Sequence, residues 1–303
     1  MGDPQLGQAA GSKIVPFKVV NHKMFCLFAA VFANSIVEIV NSDPSSTWVA
    51  VEYPASVMNR AKFIARLGTY VPTSEEKTFV PRNDHPTEFF CSDRWGDKIM
   101  EVRDQASCGS CWAFSVAETV GDRLNILGCG RGHMSTQDLV SCDTTNYACN
   151  GGYMDRSWKW IVSNGITSEK CLSYKSGGGR VPACPTTCDD GSAIERVKAK
   201  SWKQLTANEM MDEMMNNGPL SVAFTVYSDF MSYRSGVYIH KTGGVSGGHA
   251  VLAVGWGVED GTPYWLCQNS WGKSWGEAGH FKILRGQNHC GIEGTVTVGY
   301  FEC

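Results

Sequence analysis

The chain has 303 residues, 43% of them hydrophobic and 19% charged, with a formal charge of −3. That length suits two domains or one large one with a sizeable core, and the composition and charge exclude a disordered chain and argue against a binder of nucleic acid or anionic membrane. Thirteen cysteines are many for a reducing compartment, so the chain reads as a disulfide-bearing protein of the secretory pathway with at least one thiol left over.

In chain order, Lys13, Lys18 and Lys23 precede an apolar run from Phe25 to Ala33. This reads as a signal peptide with cleavage near Ala33; Met24 is an alternative start that would make residues 1–23 an extension. A short buried strand or helix is the other reading of that run. No stretch approaches the ~20 apolar residues of a membrane span. In residues 41–82 the spacing of Val57, Ala61, Ile64 and Leu67 predicts one helix from Pro54 to Leu67, with Gly68 past its end. Some forty residues bury too little to fold alone, so this segment leans on the rest of the chain or is removed.

Residues 110–165 read as helical. Ser110 is a candidate N-cap for the apolar stretch Cys111–Ala117, Ser135-x-x-Asp138 resembles a capping box, and Asn164-Gly165 stops a helix carrying Trp158, Ile161 and Val162. A loop rich in Gly, Pro and Cys fills 171–192. The capping box Thr206-Ala-Asn-Glu209 starts one more helix, which ends at Gly218-Pro219. Strands are predicted at Ser221–Val226, His249–Trp256, Tyr264–Gln268, His280–Leu284 and Thr295–Val298. Helices first and strands later imply an α+β protein of two lobes.

The chemistry centres on Gln105-Ala-Ser-Cys-Gly-Ser-Cys111-Trp112. A cysteine that opens a helix sits at the positive end of the dipole, which favours the thiolate and lowers its pKa. A thiolate is the attacking form of a nucleophile, and it needs an imidazole. His249 follows two glycines and opens an apolar strand, which fixes its side chain at a sheet edge. Asn269 ends the next strand, where its amide oxygen can hold the ring and Trp271 can shield that bond. Cys108-x-x-Cys111 is also compatible with a thiol–disulfide oxidoreductase, although no βαβ unit accompanies it. A zinc site at Cys184-x-x-x-Cys188 lacks partner ligands at finger-like spacing.

These residues resemble the papain-like (C1 family) cysteine proteases. His249 lies about 140 residues beyond Cys111 and Asn269 about 160, close to that family's spacing. The resemblance covers 83–303. It implies a two-lobe fold, helical over about 83–192 and β-barrel-like over about 193–303, with an active-site cleft between the lobes. It implies Cys111 as nucleophile, His249 as proton carrier, Asn269 as its orienter and Gln105 as an oxyanion donor. Gly151, Gly152, Ala250 and Trp271 would line the substrate. A catalytically inactive binding protein of the same fold is the alternative within this resemblance.

The likeness is to cathepsin B in particular, and to protozoan forms lacking the full occluding loop. Ser46-Thr-Trp48 and Ala65-Arg-Leu-Gly-Thr69 resemble its propeptide without the usual cysteine. Arg103-Asp-Gln105, Phe281–Gln287 and His289–Glu293 resemble the mature enzyme. By that likeness Glu293 lies at the base of the S2 pocket and admits basic as well as apolar P2 side chains. An ordinary solvated glutamate is the other reading. Only sixteen residues separate Cys171 from Cys188 and none is histidine, which implies an open primed side and endopeptidase activity. Residues 34–82 then read as an inhibitory propeptide that protonation of interface carboxylates loosens and cleavage near 80–85 frees.

The resemblance further implies disulfides Cys108–Cys149, Cys142–Cys184, Cys171–Cys188 and Cys91–Cys129, with Cys26 leaving in the signal peptide and Cys267 a buried thiol. Peptide or protein substrates, the chain's own propeptide and cystatin-like inhibitors are the expected partners of a monomer that needs no metal or cofactor. Secretion or delivery to lysosome-like vesicles is expected. No N-x-[ST] acceptor is present.

Overall fold

The computed structural model describes residues 35–72 and 85–303. The signal-peptide run, Cys26 and most of the expected maturation region lie outside them. The leading segment carries α1 (Ile36–Ser42), β1 (Trp48–Ala50) and α2 (Arg60–Arg66). Ser35 and Glu38 form a reciprocal capping box at α1, and the Asn59 side chain caps α2 through Lys62 N. The helix expected over Pro54–Leu67 is therefore confined to its second half.

After β2 (Phe89–Phe90) and α3 (Cys91–Trp95), the long helix α4 (Cys111–Leu127) ends on Gly128 in the left-handed conformation. Its residues from Cys111 to Leu124 are all buried, which makes it a central core helix. α5 (Thr136–Cys142) starts from Ser135, whose side chain accepts from Asp138 N, and α6 (Met154–Asn164) stops at Gly165 with φ 82°. β3 (Ser201–Leu205) precedes α7 (Met210–Asn217), which the Thr206–Glu209 capping box introduces through a short 3-10 turn.

The strands β4 (Leu220–Tyr227), β5 (Tyr233–Tyr238), β6 (Val245–Glu259), β7 (Thr262–Gln268), β8 (His280–Leu284) and β9 (Val296–Tyr300) follow. They order as β1-β5-β8-β7-β6-β4-β9-β3, with β2 pairing β6. All neighbours are antiparallel except β5 and β8. The helix-rich and strand-rich halves match the α+β expectation, but the sheet is open and not a closed barrel: the described path ends at β1 on one side and β3 on the other. Central strand β6 is buried from His249 to Gly257. A strand covered on both faces reads as a continuous apolar run, as this one does.

The leading segment is docked through this sheet. Trp48 and Val49 pair with Gly236 and Ser235, which makes β1 an edge strand of the sheet. Trp48 Nε1 donates to Ile239 O at 2.9 Å and Tyr53 Oη to Tyr233 O at 2.7 Å. Val40, Trp48, Ala50, Met58 and Phe63 are buried in one core with Tyr233, Tyr238, Trp271 and Trp275. Fully burying an aliphatic or aromatic side chain gives about 1.5–3 kcal/mol, which a lone forty-residue piece could not obtain. Among the described residues no helix is long and apolar enough to cross a membrane.

Candidate active site

Cys111 is the first residue of α4, and Ser110, expected as its N-cap, makes no capping bond; its hydroxyl instead pairs with Tyr174 Oη at 2.9 Å. The disulfide Cys108–Cys149 ties the turn before α4 to the turn before Gly151, and Gly109 N donates to Cys149 O at 3.0 Å. One crosslink thus fixes the cysteine against the two glycines.

On the other side, the β6–β7 hairpin places His249 and Asn269 together. His249 Nε2 lies 2.7 Å from Asn269 Oδ1, and both residues are fully buried. The Trp271 ring packs over the imidazole with centroids 4.8 Å apart. Among the described residues His249 Nδ1 has no hydrogen-bond partner. Gln105 is also fully buried: its Nε2 donates to Cys108 O at 2.8 Å and to Arg66 O at 2.9 Å. Two supports for Gln105 went unseen in the sequence. Ser270 Oγ donates to Gln105 Oε1 at 2.7 Å, which assigns the amide's orientation, and Tyr174 Oη donates to Gln105 O at 3.0 Å. A hydroxyl directly after Asn269 was the available signal for the first; the second is a long-range contact with none.

The leading segment runs through this cleft. Gly68 O accepts from Gly152 N at 2.7 Å, Thr69 N donates to Gly248 O at 3.1 Å, and Thr69 pairs with Gly152 as a parallel bridge. Thr69 Oγ1 sits 3.0 Å from Cys111 Sγ. Glycines make the approach possible: a Cβ on Gly248 would lie 1.9 Å from Thr69 O, and one on Gly151 2.7 Å from Gly68 O. Gly152 is required by the body itself, since a Cβ there would meet the Trp112 ring at 2.7 Å.

This covering sets the ionisation. Burial pushes the Cys111 thiol up, against the pull of the Thr69 hydroxyl and the Ala250, Gly68 and Trp112 backbone N–H groups. The expected low thiol pKa is therefore absent from the covered state, because desolvation outweighs the helix terminus. Burial lowers His249 to about 4 despite Asn269, with the Arg66 charge adding to the fall. Near neutral pH the pair is a thiol and a neutral imidazole.

Ala250 is buried in the core beside Cys111 and Trp112 and faces the thiol through its backbone. Glu293 departs from expectation. It is only 4% exposed, and its carboxylate accepts from Trp265 Nε1 at 2.8 Å, Gly286 N at 2.6 Å and Asn288 N at 2.7 Å. A carboxylate saturated by three internal donors is a loop anchor, not a free partner for a substrate cation. The cavity beside Tyr70 is lined instead by Tyr153, Met154, Asp155, Gln204, Thr295 and Thr297.

Disulfides join Cys108 to Cys149, Cys142 to Cys184 and Cys171 to Cys188. The expected Cys91–Cys129 bridge is replaced by Cys129–Cys303, and Cys91 is a buried thiol under β6, as is Cys267 in β7. No group of three or more potential metal-binding side chains occurs among the described residues.

Comparison with known proteins finds relatives along most of the chain. The family model described as papain family cysteine protease matches residues 86–300. Cathepsin B-like CP2 of Giardia intestinalis is 43% identical over 82% of each chain. Cathepsin B-like cysteine proteinase 5 of Caenorhabditis elegans is 35% identical over 89% of this chain and 90% of its own. Among solved structures, procathepsin B S9 of Trypanosoma congolense superposes with a TM-score of 0.79 at 30% identity, covering 88% of this chain and 96% of its own.

Proposed function

The chain belongs to the papain family of cysteine proteases as a cathepsin B-like peptidase, and from that premise we propose that it is an endopeptidase made as a zymogen, with Cys111 as its nucleophile. The observation that carries the reading is the convergence of Cys111, the His249–Asn269 pair and the Gln105 amide on one cleft occupied by residues 67–70.

With the cleft cleared, solvent returns to Cys111 and His249, and the desolvation that holds both neutral is relieved. The imidazole Nδ1, unpartnered in the covered state, then takes the thiol proton while Asn269 Oδ1 holds the Nε2–H. The thiolate adds to the scissile carbonyl. The resulting oxyanion takes the place of the Arg66 carbonyl on Gln105 Nε2, with the Cys111 N–H, which has no partner within the helix, as second donor. The intermediate collapses to a thioester, and the imidazolium gives its proton to the departing amine. Water then hydrolyses the thioester by the same route reversed.

Gly151 and Gly152 pair with the acyl side of the substrate, and Tyr153 and Met154 offer an apolar P2 side chain a surface. The short Cys171–Cys188 loop is pinned back: Ser107 N donates to Gly177 O at 2.8 Å, and Gln137 Oε1 accepts from Lys175 and Ser176 N. It carries no histidine for a substrate C-terminus, which favours internal cleavage. Residues 1–33 serve as an N-terminal extension and signal peptide and 34–82 as an inhibitory propeptide, cleaved near 80–85, and the enzyme serves in vesicles of the endocytic or secretory route. Incubating the processed protein with blocked peptides tests the endopeptidase assignment: internal cuts are expected, and predominant release of C-terminal dipeptides would refute it.

A further inference from the structure

Arg66 closes the last turn of α2, yet its side chain is only 3% exposed. Its Nη2 donates to Asp104 Oδ1 at 3.0 Å, its Nε donates to the Ala106 carbonyl at 3.0 Å, and the guanidinium lies 6.0 Å from the Trp271 ring centroid. A carboxylate, a carbonyl and an indole face engage the guanidinium through Nη2, Nε and its plane, while buried Nη1 has no partner among the described residues. Asp104 is held for this role. Its Oδ1 also accepts from Ala106 N at 2.8 Å, and its backbone bridges to Trp271. It remains 48% exposed even with Arg66 in place. The neighbouring Arg103 does not compete, since it pairs with Glu169 at 2.7 Å.

The place of this cradle follows from what flanks it. The Arg66 carbonyl occupies the Gln105 donor, and from there the segment passes Cys111 towards Gly151 and Gly152. Asp104 and Trp271 thus lie on the far side of the nucleophile from the acyl-binding glycines, where the leaving half of a substrate must run.

We propose that Asp104, with the Ala106 carbonyl and Trp271, forms a primed-side subsite that selects substrates bearing a basic side chain, arginine above lysine, at the first or second residue after the cut; this rests on the proteolytic reading above. The leading segment fills that subsite with its own Arg66, so in the precursor the subsite is already taken.

The test uses the processed enzyme and internally quenched peptides identical except for Arg, Leu or Glu at those two positions. The Arg/Leu ratio of kcat/KM is expected to be about tenfold or more, as for a charge-assisted pair in a partly shielded site. In Asp104→Asn, which keeps the acceptor for Ala106 N, the ratio should fall to within about twofold, and Asp104→Lys should favour the Glu peptide. A ratio measured on one preparation is independent of the fraction folded. A wild-type ratio near one, or a ratio that Asp104→Asn leaves unchanged, overturns the proposal while proteolysis stands. Failure to cut any of the peptides by enzyme whose Cys111 still reacts with a peptidyl inhibitor defeats both the proposal and the proteolytic reading.

Discussion

Gly68→Ala tests how the cleft is closed. At Gly68 an added Cβ would meet Gly109 O at 2.1 Å and Gly109 Cα at 2.8 Å, backbone atoms that a rotamer change cannot clear. The segment must lift, straining or breaking the Gly152 N to Gly68 O and Thr69 N to Gly248 O bonds. Overpacking costs about 1–3 kcal/mol and each lost bond about 1 kcal/mol, so closure weakens by about 2–5 kcal/mol, or about 30-fold to 5,000-fold in the open population. Helix α2 and strand β1 stay docked, so the opening is local. The assay is the rate at which a small alkylating reagent labels Cys111 in the unprocessed precursor, with the fold checked by near-ultraviolet circular dichroism. The rate should rise by at least tenfold over the parent chain. A folded variant labelled within twofold of the parent rate would refute the reasoning.

Three further outcomes follow from the geometry. Covered His249 is held at about 4 against an ordinary 6.5, so the uncovered form binds more protons between those values; acid favours uncovering by about 3 kcal/mol in all, gained from about pH 6.5 down to 4 and complete below it. Asp43, paired with Lys241 at 2.9 Å, is lowered to about 2, mainly by the Ser45 hydroxyl, so its contribution persists above 3.8 and is lost only as pH falls through about 2. In a Cys111→Ala precursor, cleavage at 67–70 by an added protease, normalised to a control peptide, should therefore rise between pH 6.5 and 4. His249→Asn should flatten that rise and Asp43→Asn leave its midpoint unmoved; a midpoint that follows Asp43 would contradict this. Peptide mapping without reduction should recover Cys129 joined to Cys303, and Cys303→Ser should cost about 2–4 kcal/mol in denaturant unfolding; a Cys91–Cys129 peptide would overturn the assignment. Glu293→Gln turns an amide donor towards Trp265 Nε1, Gly286 N or Asn288 N, so it should destabilise the fold by about 1–3 kcal/mol and leave the Arg-Arg to Phe-Arg cleavage ratio unchanged.

Much of the site was legible because its signals are local. The apolar stretch Cys111–Ala117 reads as a helix with Cys111 at its head, and the strands expected at His249–Trp256 and Tyr264–Gln268 are the pair that holds the imidazole beside Asn269. What escaped is long-range. β1 exists because Trp48–Ala50 finds the edge of β5, nearly two hundred residues away, and no local pattern marks three residues as a strand. The helix expected from Pro54 was too long because periodicity continued through a turn that Asn59 caps. Glu293 looked like a pocket carboxylate because spacing does not show which way a side chain points; two backbone N–H groups and an indole draw it inward. The thiol's raised pKa was hidden for the same reason, since the helix terminus is local and the covering by residues 67–70 is not. Of the interface carboxylates expected as the acid trigger, Asp43 is held ionised by its own turn and Lys241, and covered His249 is a second acid-sensitive group that the local pattern did not show.

The central claim, that Cys111 is the nucleophile of a cleft freed by processing, is tested most directly by an irreversible thiol-directed peptidyl inhibitor. Processed protein should take up one equivalent on Cys111, identified by mass spectrometry of the labelled peptide, and Cys111→Ala should take up none. Labelling that survives the substitution, or that maps to Cys91 or Cys267, would contradict the account.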